Sequence, residues 1–412
     1  MTASKTTFPP VKEQMDVLLR GIQEVITAEE LEQKLERSCR SGVPLTIKQG
    51  FDPSAPDLHL GHAVTIRKLR QFQDLGHRVI FLIGDFTGMV GDPSGRSKTR
   101  PRLTREDVTK NARTYEEQVF KILDRAKTEI RFNSEWHGKR DVYQFLELAG
   151  KHTVARMLER DDFLKRYQSG EPISILEFLY PLLQAYDSVA LRADVEMGGS
   201  DQKYNLLLGR KIQEEYGLEP QVAFMMPLLV GTDGKEKMSK SLGNYVGIND
   251  PPEEIYGRIL SIPDELIARY FLLTTDLPEG EIEAIRKDVE SRNINPMIHK
   301  QRLAREIVAQ YHSPEAARRA EEDFLKRFRY REIPENVPEI TISDAPEKLP
   351  INHLLVKANL SQSLSEARRD IQSGSVKLDG EKILDFRQEI HLKSGQILQV
   401  GKRRIVRLIL QE

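Results

Sequence analysis

Residues 44–84 read PLTIKQGFDPSAPDLHLGHAVTIRKLRQFQDLGHRVIFLIG, and the fold class follows from them. The stretch ends in Val79-Ile-Phe-Leu-Ile-Gly84, apolar without alternation. A strand with one wet face alternates apolar and polar residues, so a continuous run marks a strand buried on both faces of a parallel sheet. Before it, Leu60 to Leu75 has helical spacing, and residues 44–51 form a short strand closed by Asp52-Pro-Ser54. Strand, helix and strand within about 40 residues make a crossover unit joining parallel strands.

The same alternation extends in both directions. Residues 11–41 carry Val17, Leu18, Ile22, Val25, Ile26, Leu31 and Leu35 at helical spacing, with a restart at Thr27, where Glu30 completes a capping box. Thr104–Lys127, Ile173–Leu191 and Lys203–Tyr216 read as helices, and Glu129–Phe132, Asp194–Met197 and Gln221–Val230 as strands. The expected architecture is an open, doubly wound, Rossmann-like α/β sheet. Pro251 to Tyr330 shows only helical patterns, and residues 331–350 hold Pro334, Pro338, Pro346 and Pro350, the mark of a linker. The expected domains are therefore 1–250 (the α/β sheet), 251–330 (helical), a linker at 331–350, and a small α+β tail at 351–412.

Of 412 residues, 39% are apolar and 30% charged, which excludes a disordered or fibrous chain. The single cysteine, Cys39, excludes an intramolecular disulfide and a Cys-rich zinc site, and no metal site is expected. No apolar run reaches the roughly 18 residues of a membrane span. The first residues lack the apolar core of a signal peptide, so a cytoplasmic protein is expected. The 62 basic and 63 acidic residues nearly cancel. Split at the linker, however, the charge is −5 for residues 1–350 and +4 for the last 62.

Two motifs carry the chemistry. His59-Leu-Gly-His62 falls where the first strand's loop becomes a helix. A helix start offers unpaired N–H groups and a positive dipole end to phosphates. Gly61 leaves room for a purine ring to approach the backbone, and histidines three apart share one face, where both can donate. Alone, the tetrapeptide could equally cap a turn. Residues 237–241, KMSKS, follow the last apolar strand in a glycine-containing loop. Lys237 and Lys240 would clamp a polyphosphate and neutralise charge moving onto departing pyrophosphate, with hydroxyls from Ser239 and Ser241. Alone, the run could be a solvated basic loop.

Together, about 175 residues apart, the motifs resemble those of the class I aminoacyl-tRNA synthetases. Such enzymes align an amino-acid carboxylate with the ATP α-phosphate and stabilise the transition state electrostatically, without a protein nucleophile. Tyr180, Gln184 and Asp187 stack on one helix face, poor core material unless they surround a polar ligand. Downstream, residues 196–202 read EMGGSDQ, suited at a strand end to a ribose diol. These residues, with IGDFTGMVGDPSGRSKTRP at 83–101, make nearly the whole chain similar to the tyrosyl-tRNA synthetases, most of all their second bacterial type.

The resemblance implies roles. Asp92, Tyr180 and Gln184 would hold the substrate α-ammonium, Asp187 would accept the phenol hydroxyl, and Thr87 would border that pocket. Gln202 would face the substrate carboxylate, and Gly199 and Asp201 the ribose. Ser54, His59, Gly61 and His62 would meet ATP, with Thr65 one turn on, and Asp52 would organise the phosphate loop from behind. ATP would bring Mg²⁺. One departure stands out: a family tyrosine that also bonds the phenol is replaced by Lys48, which would donate to the phenol or pair with Asp187.

The tail resembles the S4-type RNA-binding domain of these enzymes. Ser363-Leu-Ser-Glu366 opens a helix bearing Arg368 and Arg369, and residues 396–408 read as a hairpin with Lys402, Arg403 and Arg404 at its turn. These five would touch tRNA phosphates, giving salt-dependent affinity rather than sequence readout. The family further implies a homodimer. A tryptophanyl-tRNA synthetase, a small nucleotidyltransferase and an RNA-binding protein on the same scaffold remain alternatives at this point. Asp187 suits a phenol, and the intact lysines and histidines speak against lost chemistry.

Overall fold

A computed structural model describes residues 7–53, 57–92, 104–292, 294–328, 337–343, 348–401 and 404–411. Ser54, Lys402 and Arg403 lie outside the described residues. The chain forms two compact units, residues 1–321 and 322–412.

The first unit is built on six strands: β1 (Glu24–Ile26), β2 (Thr46–Phe51), β3 (Arg78–Ile83), β4 (Thr128–Phe132), β5 (Val195–Gly199) and β6 (Val222–Met226). Their spatial order is β1-β6-β5-β2-β3-β4. All neighbours run parallel except β1, which pairs antiparallel with β6 through Val25 and Phe224. Residues 79–83 of β3 and every residue of β6 are buried, as their unbroken apolar runs require. The expected crossover is present, with helix Leu60–Asp74 between β2 and β3 and Ile47 in register with Val79.

The N-terminal region differs from the expectation. Helix Val11–Leu19 ends, β1 intervenes, and helix Ala28–Ser41 starts on the expected Thr27–Glu30 capping box. Val25 and Ile26 fit a helix by spacing, yet the free edge of β6 recruits them, a tertiary gain that local spacing does not register. Residues 105–127 likewise form a helix only to Val119, with a short 3-10 turn at Arg125–Lys127.

From Pro252 to Phe328 the described elements are helical, as expected. Their early part packs on the sheet unit: the Tyr270 hydroxyl donates to the Val230 carbonyl, and Arg67 reaches Gln310 and Asp276.

In the second unit, strands Val376–Leu378, Ile397–Val400, Arg404–Gln411 and Glu339–Ser343 form most of a five-stranded sheet. Helices Ile351–Lys357 and Leu364–Gln372 share a core with it around Leu354, Ile371, Leu398 and Leu408. The expected linker thus contributes two strands, Glu339–Ser343 and Lys348–Pro350. Its prolines misled because Pro338 only precedes a strand and Pro350 ends one, and Glu339–Ser343 lies at the sheet edge, where a proline is tolerated.

Candidate active site

Chain order reverses between β2 and β5, and open α/β sheets hold ligands at that point, beyond the strands' carboxyl ends. Only two register pairs join these strands, Ile47 with Val195 and Lys48 with Glu196. Beyond them lies a cleft of about 1030 Å³, lined by Gly50 and Phe51 of β2 and by Gly198 and Gly199 of β5. The cleft also gathers His59, Gly61, His62, Thr65, Thr87, Asp92, Tyr180, Gln184, Asp187, Asp201, Gln202, Lys237, Ser239, Lys240 and Ser241. Residues separated by 191 positions, Gly50 and Ser241, therefore meet in one place.

The two histidines cap their own helix. His59 Nδ1 accepts from the Gly61 N–H at 3.1 Å, and His62 Nδ1 faces the His59 N–H at 3.3 Å. Each Nδ1 therefore acts as acceptor, which puts the proton of a neutral ring on Nε2. The rings stack with centroids 3.9 Å apart. A Cβ at residue 61 would lie 2.9 Å from His59 Cε1, so the glycine is required by the histidine ring itself.

The expected free N–H groups at this helix start are not available. The Leu60 N–H donates to the Val246 carbonyl and the Gly61 N–H to His59. Donors for a phosphate are instead the imidazole Nε2–H groups. Burial, with Lys240 acting in the same direction, lowers His62 to about 4 and His59 well below its usual range. Both are neutral at pH 7. We expect His62→Gln, which keeps a neutral donor, to retain about tenfold more activity than His62→Ala. Its ratio to the native protein should stay constant between about pH 6 and 8, because a histidine with a pKa near 4 has no proton to lose there. Pyrophosphate exchange across that range is the check; a native advantage fading as pH rises would mean that an imidazolium is needed.

The opposite side of the cleft is set by helix Ile175–Leu191, capped by Ser174 and Glu177. Tyr180, Gln184 and Asp187 line the cleft from its one face, as their spacing predicts. The Tyr180 hydroxyl donates to Asp52 Oδ2 at 2.9 Å, and burial with this carboxylate raises its pKa well above the usual phenol value. Asp52 Oδ1 accepts from Thr87 at 2.8 Å, and the Thr87 hydroxyl accepts from Asn133 at 2.9 Å. Asp52 also lines the cleft and holds the Tyr180 hydroxyl. Asp92 accepts from Gln202 Nε2 at 2.9 Å.

Asp187 is gripped by residues that sequence reasoning missed. Its Oδ1 accepts from Trp136 Nε1 at 2.8 Å and lies 2.8 Å from His137 Nε2, and Asn133 Nδ2 is 3.3 Å from Oδ2. A usable signal existed: the chain's only tryptophan stands four residues after β4, at the carboxyl end of a parallel strand. Lys48 neither reaches the cleft nor meets Asp187. It is fully buried and pairs at 2.9 Å with Glu196, its register partner on β5.

The KMSKS segment is a held loop. Met238 is buried and its N–H donates to the Leu229 carbonyl. Asn244, also unforeseen, accepts from the Ser239 N–H and donates to Asp233 and the Lys237 carbonyl. Lys237 pairs with Asp201 at 2.7 Å and Lys240 with Asp57 at 3.2 Å, so both ammonium groups lie at the cleft beside carboxylates.

The tail arginines belong to the second unit. Arg368 and Arg369 are exposed on helix Leu364–Gln372. Arg404 instead ties the hairpin to that helix through Glu366 and Asp370, each at 3.1 Å. Ser363 caps the helix, but Glu366 turns to the Gln362 N–H rather than closing the expected box.

A family profile described as tRNA synthetases class I (W and Y) matches residues 40–329. With the cleft at the sheet's switch point and both motifs facing it, the chain is a class I aminoacyl-tRNA synthetase. Residues 330–403 match the tyrosine–tRNA ligase SYY-like C-terminal domain. A tyrosine–tRNA ligase of Geobacter sulfurreducens is 56% identical over 398 residues, 97% of this chain and 99% of that protein. Tyrosine–tRNA ligase 2 of Clostridium acetobutylicum is 51% identical over 97% of this chain and 99% of its own length. Tyrosyl-tRNA synthetase of Archaeoglobus fulgidus, solved with L-tyrosine, superposes with TM-score 0.63 at 26% identity over 76% of this chain and 99% of that one. The chain belongs to the tyrosine–tRNA ligase family, and to its second bacterial type.

Proposed function

We propose that the cleft carries out the family's reaction with these residues in the following roles. Tyrosine lies along helix Ile175–Leu191, its ammonium at Asp92, Tyr180 and Gln184 and its phenol at Asp187, beside Thr87. Its carboxylate, near Gln202, attacks the α-phosphorus of Mg²⁺·ATP. A carboxyl oxygen–phosphorus bond forms as the bond to pyrophosphate breaks. His59 and His62 donate Nε2–H to the phosphates, Lys237 and Lys240 neutralise the departing pyrophosphate, and Ser239 and Ser241 add hydroxyls. Gly199 and Asp201 hold the ribose. The adenylate then passes tyrosine to the 3′ end of tRNA.

The observation that carries this reading is the convergence of two neutral imidazole donors and two ammonium groups on one cleft, whose other polar end is Asp187. Amino-acid-dependent pyrophosphate exchange with tyrosine, phenylalanine and tryptophan tests it directly. Exchange with tyrosine alone is expected; equal exchange with tryptophan would overturn the phenol assignment.

The partners follow from surfaces. Val142, Tyr143, Val154, Tyr167 and Ile175 are exposed on neighbouring helices, between 61% and 84%. A second copy of the chain would cover this apolar surface. Residues 251–330 and the basic tail would carry the tRNA, at work in the cytoplasm. No described helix is long and apolar enough to cross a membrane. Arg368→Glu with Arg369→Glu should leave pyrophosphate exchange unchanged but weaken tRNA binding. The slope of log affinity against log salt should flatten by about 1.5–2, one unit or slightly less per lost phosphate contact. An unchanged slope would remove these arginines from the interface.

A further inference from the structure

Glu196 and Lys48 form an ion pair within the sheet, 1% and 0% exposed, in the last register pair before β2 and β5 part. Neither lines the cleft. Buried ion pairs can often be replaced by apolar residues without loss of stability, so their presence asks for another reason. The partners of Glu196 supply one. Its Oε1 accepts from Lys48 and from Gln184 Nε2 at 3.2 Å, and its Oε2 accepts from Ser188 at 3.0 Å and from Gln221. Lys48 also reaches the Gln184 backbone carbonyl at 3.4 Å.

We infer that Lys48 and Glu196 are positioning residues that decide which end of the Gln184 amide faces the cleft. The inference rests on the reading above that Gln184 meets the substrate ammonium. An ionised carboxylate can only accept hydrogen bonds, so Gln184 must turn its NH₂ inward to Glu196. The amide oxygen is left for the cleft, where a substrate ammonium requires an acceptor. A reversed amide would present N–H groups to that cation and repel it. Lys48 holds that carboxylate in place, donating to the same Oε1 that receives Gln184 and to the Gln184 backbone carbonyl. A neutral amide at position 196 can donate to the glutamine oxygen, which removes the orientational constraint. The lysine that stands in place of a phenol-binding residue thus acts at the opposite end of the amino acid, through Glu196 and Gln184.

The test compares three ligands on the full-length chain: L-tyrosine, tyramine (ammonium without carboxylate) and 3-(4-hydroxyphenyl)propionate (carboxylate without ammonium). Dissociation constants are measured for the native protein, Glu196→Gln, Lys48→Met, the double variant and Gln184→Met. Glu196→Gln and Lys48→Met are expected to weaken tyrosine and tyramine by about tenfold, the scale of one hydrogen bond to a charged group. The propionate should change less than about twofold on that scale, and the KM for ATP should stay constant. The double variant leaves no unpaired buried charge and should show the same pattern if a single variant misfolds. Equal loss of all three ligands would mean a merely structural pair and overturn the inference. Selective loss in Gln184→Met alone would overturn it while sparing the reading of Gln184. No loss of tyramine in Gln184→Met would overturn that reading, and the inference with it.

Discussion

Replacing Lys237 or Lys240 with alanine is expected to slow tyrosyl-adenylate formation by about 10²–10³-fold, the scale of losing one preorganised transition-state donor. The two ammonium groups end side chains on a loop whose backbone is anchored by Met238 and Asn244, so alanine should leave the loop itself in place. Charge reaches the pyrophosphate only as the bond to the α-phosphorus breaks. Both losses should therefore fall on kcat, with the KM for tyrosine unchanged. Lys237→Ala also leaves Asp201 without its partner at 2.7 Å, so the KM for ATP should rise more in that variant than in Lys240→Ala. Pre-steady-state adenylate formation separates these effects. A loss below tenfold in both variants would remove the loop from the chemistry.

The second large effect concerns the phenol. Asp187→Asn keeps the shape of the side chain but exchanges one acceptor oxygen for an NH₂ group. Sites that hydrogen-bond a substrate hydroxyl reject the analogue without it by about 10⁴–10⁵, a range that tyrosyl-tRNA synthetases themselves define. In the proposed reading, with no tyrosine at position 48, this rejection rests on Asp187, and kcat/KM for tyrosine over phenylalanine should fall to about 10² or lower. Asp187→Ala should do the same at a greater cost in stability. It would orphan Trp136 Nε1, His137 Nε2 and one Asn133 donor, each worth about 1–3 kcal/mol when left buried and unpaired. Thermal unfolding of both variants separates the two contributions. Undiminished selectivity in Asp187→Asn would place phenol recognition elsewhere.

Much of this site is legible because its signals are local. The apolar run at residues 79–83 has one cheap solution, a strand covered on both faces, and β3 is that strand. Spacings of four and three put Tyr180, Gln184 and Asp187 on one helix face, and the structure turns that face to the cleft. Residues 133–172 carried no such pattern. Two of their helices, Ser134–His137 and Val154–Met157, span about one turn each, too little for a period to emerge. The groups that fix Asp187 were hidden there. The strand β1 was hidden for a related reason, since three residues fit a helical spacing as well as a strand.

Chain order and side-chain type alone therefore determined the parallel strands of the sheet, the two cleft-lining motifs, the helix face and the basic tail, because each depends on neighbours a few residues away. Tertiary structure decided the partners. Lys48 meets Glu196 rather than Asp187, Asp52 holds Tyr180, and the helix-start N–H groups are taken by Val246 and His59 rather than left for phosphate. Most of these contacts join residues more than 100 positions apart, and the rest depend on how a side chain turns. Which donor reaches which acceptor is then set by how strands and helices pack, a choice that no local spacing encodes.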